Sequence, residues 1–274
     1  ISPDAPHAPS KPAIRHRNKF PGQRAPRVPS FNEADVSGQP ALEQSPLMGF
    51  GNIMKADTNY RLQLQSLLAV DEMVRDLVAK LSETQQLEDT YFFFLSDNGL
   101  HFGEHRIVWG KGTPFEESVR VPLVVRGPGV ERGAEISRLT NNADLLPTLL
   151  DLIGEATGER VDGRSLAPLF GPDAEEKPWR NAIVLESRHE VRNQGVPPFG
   201  AIRTERFKWI EFENGRNALY DLRNDPHEMT NVAGEPYRAV ADELSQRLAE
   251  LLACSGTACR AAEDAPLEAR PTGE

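Results

Sequence analysis

An α/β fold, with a mixed central sheet flanked by helices and then a smaller antiparallel sheet with its own helix, is what this sequence predicts, on three observations. Residues 60–83 set Tyr60, Leu64, Leu67, Leu68, Val74, Leu77, Val78 and Leu81 at helical spacing, with Asp71, Arg75, Asp76 and Lys80 mostly between them. Such a segment is an amphipathic helix that packs on a sheet. The run Tyr91-Phe92-Phe93-Phe94-Leu95 follows, short and aromatic enough for a buried strand, which completes a helix-to-strand step. Short apolar segments at 182–185, 200–203, 207–212 and 217–222 then read as strands. Asn214-Gly215 marks a hairpin turn among them, and a helix over 236–252 covers their sheet.

Taken in order, residues 1–50 hold nine of the 22 prolines. Pro fixes φ and lacks an N–H, so this density forbids a helix and disfavours a central strand. Basic residues gather there as well: Lys11, Arg15, His16, Arg17, Lys19, Arg24 and Arg27. A second strand is expected over 119–125. Asp144 reads as the cap of a short helix, with Pro147 in its first turn, Leu145, Leu146, Leu149, Leu150 and Ile153 on its buried face, and Gly154 at its end. The polar stretch 172–178, bounded by prolines, divides a larger unit, 1–171, from a smaller α+β unit, 172–253. Residues 254–274 read as a tail, its last fifteen residues disordered.

Composition narrows the function classes. The chain has 274 residues, 26% of them charged, and a net charge of −10, which argues against a nucleic-acid surface. It has no apolar run near 18 residues and hence no membrane-spanning helix. Any anion site in so acidic a chain is a local cationic pocket. The two cysteines, Cys254 and Cys259, are either a small local disulfide or two free thiols, and too few ligands accompany them for zinc.

Chemistry concentrates after the aromatic run. Asp97 and Asn98, beyond a strand's carboxyl end, are hard oxygen donors of the kind Ca²⁺ or Mg²⁺ takes. An Asp-Asn-Gly turn is equally the bland reading of the same residues. Lys111, between Gly110 and Gly112, is uncrowded and suited to an anion. His7, between Pro6 and Pro9, sits on a stiff backbone, and histidine is the residue type suited to proton donation near neutral pH. His101, Glu104 and His105 form a zinc-like spacing that Gly103 contradicts, since glycine breaks the helix such a motif needs. Glu116 and Glu117 are expected to orient the loop, one of them paired with Arg120.

Asp97-Asn98-Gly99, Gly110-Lys111-Gly112-Thr113, Glu116-Glu117, Arg120-Val121-Pro122 and Gly127-Pro128-Gly129 occur here in one order and spacing. With Pro6-His7-Ala8-Pro9 and Leu219-Tyr220-Asp221-Leu222, Asp225-Pro226, Glu228 and Asn231-Val232-Ala233, they make the chain resemble the second half of a type I sulfatase. That family uses a formylglycine nucleophile on the alkaline-phosphatase-like fold, and the likeness covers about residues 1–255. It implies that Asp97 and Asn98 bind the divalent cation, Ca²⁺ ahead of Mg²⁺. Lys111 and His7 would then be catalytic residues that contact the sulfate, His7 would help protonate the leaving oxygen, and His105 would line the substrate pocket. The proline-rich start becomes an ordered wall of the site whose basic residues select a sulfated substrate, with His189 and Arg192 as further specificity candidates.

Neither C-x-P-x-R nor S-x-P-x-R, which carries the formylglycine precursor, occurs in the chain, and the family's paired early aspartates are absent. The expectation is a sulfuric ester hydrolase present as a fragment, inactive alone, that acts on a sulfated carbohydrate or aryl sulfate when joined to an N-terminal half. A secreted or periplasmic setting goes with the family and suits the disulfide. Three rivals stand beside it: a phosphodiesterase or phosphonate monoester hydrolase of the same fold, a non-catalytic sulfated-glycan-binding protein, and one half of a split enzyme.

Overall fold

The computed structural model describes residues 1–43, 45–158, 160–188 and 195–273. His189 and Arg192 lie outside the described residues. The proline-rich start carries one 3-10 turn, Ile14–His16, before helix α1, Phe50–Glu83. At 34 residues α1 is about 51 Å long and starts ten residues before the apolar periodicity does. Tertiary ties account for the extra turns. Asp57 accepts hydrogen bonds from Ala25 N at 3.0 Å and from the Arg27 guanidinium at 2.8 Å, and Ala56 is fully buried. Further along, Glu72 pairs with Arg15 and His16, and Gln65 donates to Lys19 O at 2.7 Å. The main support of α1 is therefore the proline-rich segment and not the expected sheet, and its leucines remain half-buried. Three residues of the basic cluster, Arg15, His16 and Arg27, are spent on this docking.

Strand β1, Phe92–Leu95, pairs antiparallel with β2, Leu123–Arg126. Where a strand was expected from residue 119, the helical turn α2, Glu116–Val119, intervenes. Among the described residues these two strands form a sheet of their own. One face is covered: Phe93 meets the Phe170 ring at 6.2 Å, and Leu123 packs on Leu166 and Leu169. On the other face the cross-strand partners Phe94 and Val124 are both exposed.

Helix α3, Leu145–Leu152, has Asp144 at its N-cap position as expected, though without a side-chain cap bond, and departs from the sequence expectation at its face. The side-chain capping belongs to the 3-10 turn Asn142–Asp144 just before it, where Asn141 accepts from Ala143 N at 3.0 Å and Asp144 accepts from Asn141 N at 2.8 Å. Asp144 is fully buried and also accepts from Arg180 at 2.6 Å and from Arg164 N at 2.9 Å. The expected apolar face is largely outside: Leu146 is 57% and Ile153 71% exposed, while Pro147 and Thr148 are buried. Gly154 does end the helix, at φ 77°. Gly163 comes so near this turn that a Cβ there would lie 2.0 Å from Ala143 O.

The four-stranded antiparallel sheet follows the predicted pattern: β3 Ala182–Ser187, β4 Phe199–Thr204, β5 Phe207–Phe212 and β6 Asn217–Asp221, in sequential order. Its strands are apolar on both faces because both are covered. Ile202, Phe207, Trp209 and Leu219 pack on Val240, Leu244 and Leu248 of α4, Arg238–Ala253. Ala201, Ile210, Phe212 and Tyr220 share a second core with Val36, Leu42, Ile107 and Phe115. The small sheet is thereby fastened to the loops around the Asp97 region.

Cys254 and Cys259 form a disulfide. Residues 260–273, expected as a disordered tail, are instead docked. Helix α5, Arg260–Asp264, is followed by Glu268 and Ala269, whose backbone N–H groups donate to the Glu243 carboxylate, and Leu267 packs against the α4 core. A buried carboxylate left without its cation is costly. Arg180→Ala should therefore lower the unfolding free energy by about 3–5 kcal/mol in chemical denaturation. Arg216→Ala, which removes the half-exposed pair with Glu43, should cost under about 1 kcal/mol.

Candidate active site

The turn after β1 is self-organised. Ser96 Oγ donates to Asn98 O at 2.8 Å, and Asn98 N donates to Asp97 Oδ1 at 2.9 Å. Asn142, just ahead of α3, donates to Ser96 O and Asp97 O at 3.2 and 3.1 Å. Gly99 N donates to Ser118 O at 2.8 Å, and a Cβ on Gly99 would lie 2.1 Å from Glu117 O. Glycine is required there because α2 presses directly on the turn.

Lys111 closes onto this turn, with Nζ donating to Asn98 Oδ1 at 2.9 Å. Its loop is fixed from below. Ser118 Oγ accepts from Gly112 N and Thr113 N at 2.8 and 3.2 Å, His101 N donates to Gly110 O at 2.8 Å, and His101 Nε2 lies 2.7 Å from Thr113 Oγ1. Asp97 is exposed and Asn98 half-buried. This arrangement offers a carboxylate, an amide oxygen and an ammonium together at one surface.

His7 is exposed, with Nδ1 2.9 Å from Ala8 O. Among the described residues no recorded hydrogen bond or ion pair joins it to Asp97, Asn98 or Lys111. His105 is fully buried, its ring stacked on Phe115 at 3.9 Å, with Nδ1 3.2 Å from Glu33 Oε1 and Nε2 3.5 Å from Glu117 Oε2. It lies beneath the Lys111 loop, enclosed by protein, where the pocket-lining expectation needs it open to a ligand. Glu116 pairs with Arg203 at 3.3 Å and Lys208 at 2.7 Å, and Glu117 with His105, so Arg120 is the partner of neither.

Two groupings can receive a cation. Asp97 and Asn98 present hard oxygens of the type calcium or magnesium takes, too few by themselves for a full coordination set. The atoms of His105, Glu117 and Glu228 lie within 4.8 Å of one another. In that second group the cationic role is already filled, because Lys208 Nζ is 2.8 Å from Glu228 Oε1 and the imidazole is held charged.

Sequence reasoning missed Glu33, Arg203, Lys208 and any role for Glu228. Glu228 stands in the Asp225-Pro226 motif that carried the resemblance. Glu33, Arg203 and Lys208 have partners 72 to 94 residues away, Lys208 being joined to Glu228 as well, and give no local signal.

Burial alone would lower the His105 pKa, but the Glu117 and Glu33 carboxylates outweigh it and raise it to about 9. Burial would raise Glu117, and the His105 imidazolium overrides that, bringing it to about 2. His101 is pushed down to about 3 by burial. A raised histidine stabilises the fold fully below the unfolded value of 6.5 and loses that contribution as pH rises through about 9. His101 and Glu117 have the opposite sign. Their contributions are complete above 6.5 and 4.5 and are lost as pH falls through about 3 and 2. The stability supplied by this cluster should therefore peak near pH 6.5. Unfolding free energies from urea titrations between pH 5 and 9 should lose on the order of 3 kcal/mol on the alkaline side, and His105→Gln should flatten that limb, with the His101 contribution on the acid side retained and that of Glu117, which His105 holds down, diminished.

Known proteins share this arrangement of chain. The N-acetylglucosamine-6-sulfatase of Bos taurus is 30% identical over 292 residues, covering 95% of this chain and 52% of the relative. Sulfatase ppz1 of Metarhizium majus is 33% identical over 276 residues, covering 95% of this chain and 61% of the relative. An extracellular sulfatase homolog of Drosophila melanogaster is 32% identical over 209 residues, 74% of this chain and 19% of its own. The chain thus spans about half the length of the curated relatives it matches first. A solved protein in complex with its substrate D-glucosamine-2-N,6-O-disulfate superposes with TM-score 0.69 at 32% identity, covering 76% of this chain and 43% of that one. The phosphonate monoester hydrolase of Agrobacterium radiobacter gives TM-score 0.63 at 32% identity over 72% of this chain and 42% of its own. The family model for N-sulphoglucosamine sulphohydrolase, C-terminal, matches residues 103–253, and that for sulfatase matches residues 1–155. With more than half its length in that match and its fold among alkaline-phosphatase-like neighbours, the chain belongs to the sulfatase family.

Proposed function

We propose that this chain is the lysine-bearing part of a sulfuric ester hydrolase that removes sulfate from a sulfated carbohydrate, a 6-O-sulfated glucosamine ahead of an aryl sulfate. The observation that carries it is the closure of Lys111 onto Asn98 at 2.9 Å, which sets an ammonium beside a hard-oxygen pair just past a strand end. Asp97 and Asn98 hold the divalent cation, calcium ahead of magnesium, which when bound supplies positive charge to the sulfate group. Lys111 neutralises charge that develops on the sulfate oxygens, and His7 serves the departing alcohol oxygen. His105 enters as a positioning residue under the loop and not as a contact to substrate. The disulfide and the extracellular relative support a compartment outside the cytoplasm.

On the same proposal the nucleophile belongs to a part of the protein other than this chain, with residues 1–171 completing that catalytic unit and 172–253 forming a smaller subdomain. Support comes from the apolar surface. Phe94, Val124, Leu146, Leu149 and Ile153 are exposed, and β1 and β2 have neighbours only in each other among the described residues. Such a face and open strand edges call for a cover. Expressed alone, the chain should bind an environment-sensitive apolar dye and self-associate, and Phe94→Lys together with Val124→Lys should reduce both.

Assays with glucosamine 6-sulfate, 4-nitrophenyl sulfate and a phenyl phosphonate monoester test the reading. This chain alone should turn over none of them. The longest in-frame protein containing it should prefer the sulfate ester, with kcat/KM falling about 10²–10³-fold in Lys111→Ala. Lys111-dependent turnover by the chain alone would overturn the need for a second part. Preference for the phosphonate would move the assignment to the alternative represented by the Agrobacterium neighbour. Glycan binding without hydrolysis by the longer protein would make it a binding protein.

A further inference from the structure

Arg203 on β4 and Lys208 on β5 are direct cross-strand partners. Two like charges facing each other across a ladder repel, and Lys208 is fully buried, where an unpaired ammonium is severely disfavoured. Both are tolerated because one anion sits against them: Glu116, 3.3 Å from Arg203 and 2.7 Å from Lys208. Burial would raise the pKa of Glu116, yet the two cations hold it at about 2, so it stays charged.

Three oxygens surround the Lys208 ammonium: Glu116 Oε1 at 2.7 Å and Glu228 Oε1 at 2.8 Å as ion pairs, and Pro114 O, which accepts a hydrogen bond at 2.9 Å. Glu228, itself fully buried, uses its other oxygen to accept from Glu116 N at 2.7 Å. Two of these four links end on backbone groups, Pro114 O and Glu116 N, which fixes the course of the chain as well as its side chains. Pro114 and Glu116 stand three and five residues after Lys111, and between them Phe115 is fully buried in the core shared with the small sheet.

We infer that the Arg203–Lys208 pair of the small sheet, with Glu228, is a socket for Glu116 that sets the position of the Lys111 loop. Lys208 and Glu228 are positioning residues, acting on substrate only through Lys111. The catalytic consequence rests on the reading of Lys111 given above, while the structural claim does not.

The test is amide hydrogen exchange, read residue by residue, on this chain and on Glu228→Gln and the neutralised pair Lys208→Met with Glu228→Gln. The double variant is included because Lys208→Met alone leaves Glu228 buried without its cation and can fail to fold. Acylation of Lys111 by a soluble active ester, followed by mass spectrometry, reports the ammonium itself. Expected is at least tenfold faster exchange at Gly112, Thr113 and Glu116, with altered acylation of Lys111 and unchanged exchange in residues 217–221. A uniform rise in loop and sheet would make the cluster ordinary core support and overturn the inference, as would an unchanged loop. In the longer protein the double variant should lower kcat more than it raises KM. A loop that loosens without any change in turnover would spare the socket and sink the role of Lys111.

Discussion

Desolvated charge governs the structure around the candidate site. Glu33, Glu117, Glu228 and the cations His105 and Lys208 are all drawn from water, and each is tolerable only with its partner in place. Such pairs add little net stability compared with apolar residues, but they punish any other arrangement severely. The small sheet, the loop leading into α2 with α2 itself, and the proline-rich start each contribute members, so this cluster specifies how they come together.

That specification reaches the surface through short steps. Glu116 is seated by Arg203 and Lys208, Glu117 by His105, and both residues open α2, whose Ser118 holds Gly112 and Thr113 by their amides. Gly99 lies against the same turn. Lys111 and Asn98 therefore meet as the ends of two tied segments, which is the preorganisation that the role proposed for Lys111 needs. Positioning of the Asp97–Asn98 turn and of the lysine is one problem here, solved once.

The apolar surface tells of a different economy. β1 and β2 pack one face and bare the other, and α3 turns Leu146, Leu149 and Ile153 outward. The small sheet, by contrast, is covered on both faces, and its four strands fall where the sequence placed them. Order in this chain is therefore asymmetric, complete around the small sheet and open at β1, β2 and α3.

Local pattern alone determined a good deal. Period-two and continuous apolar runs placed the four strands of the small sheet within two residues, the helical spacing found α1 and α4, and Asp97, Asn98 and Lys111 stood out by residue type and by the glycines beside them. Those signals are short-range, set by backbone sterics and side-chain periodicity. Other features needed the folded chain. Leucine spacing in α3 says that an apolar face exists and nothing of what covers it. Asp144 reads as a cap because capping is local, whereas its burial against Arg180 depends on residue 180 arriving. His105 looked like a pocket residue and is an imidazolium locked between Glu33 and Glu117, since a histidine's role follows from what surrounds it in space. Lys208 and Arg203 carry no signal in sequence at all, because such cations are licensed only by anions that tertiary structure delivers, Glu116 from 87 residues before Arg203 and Glu228 from beyond β6.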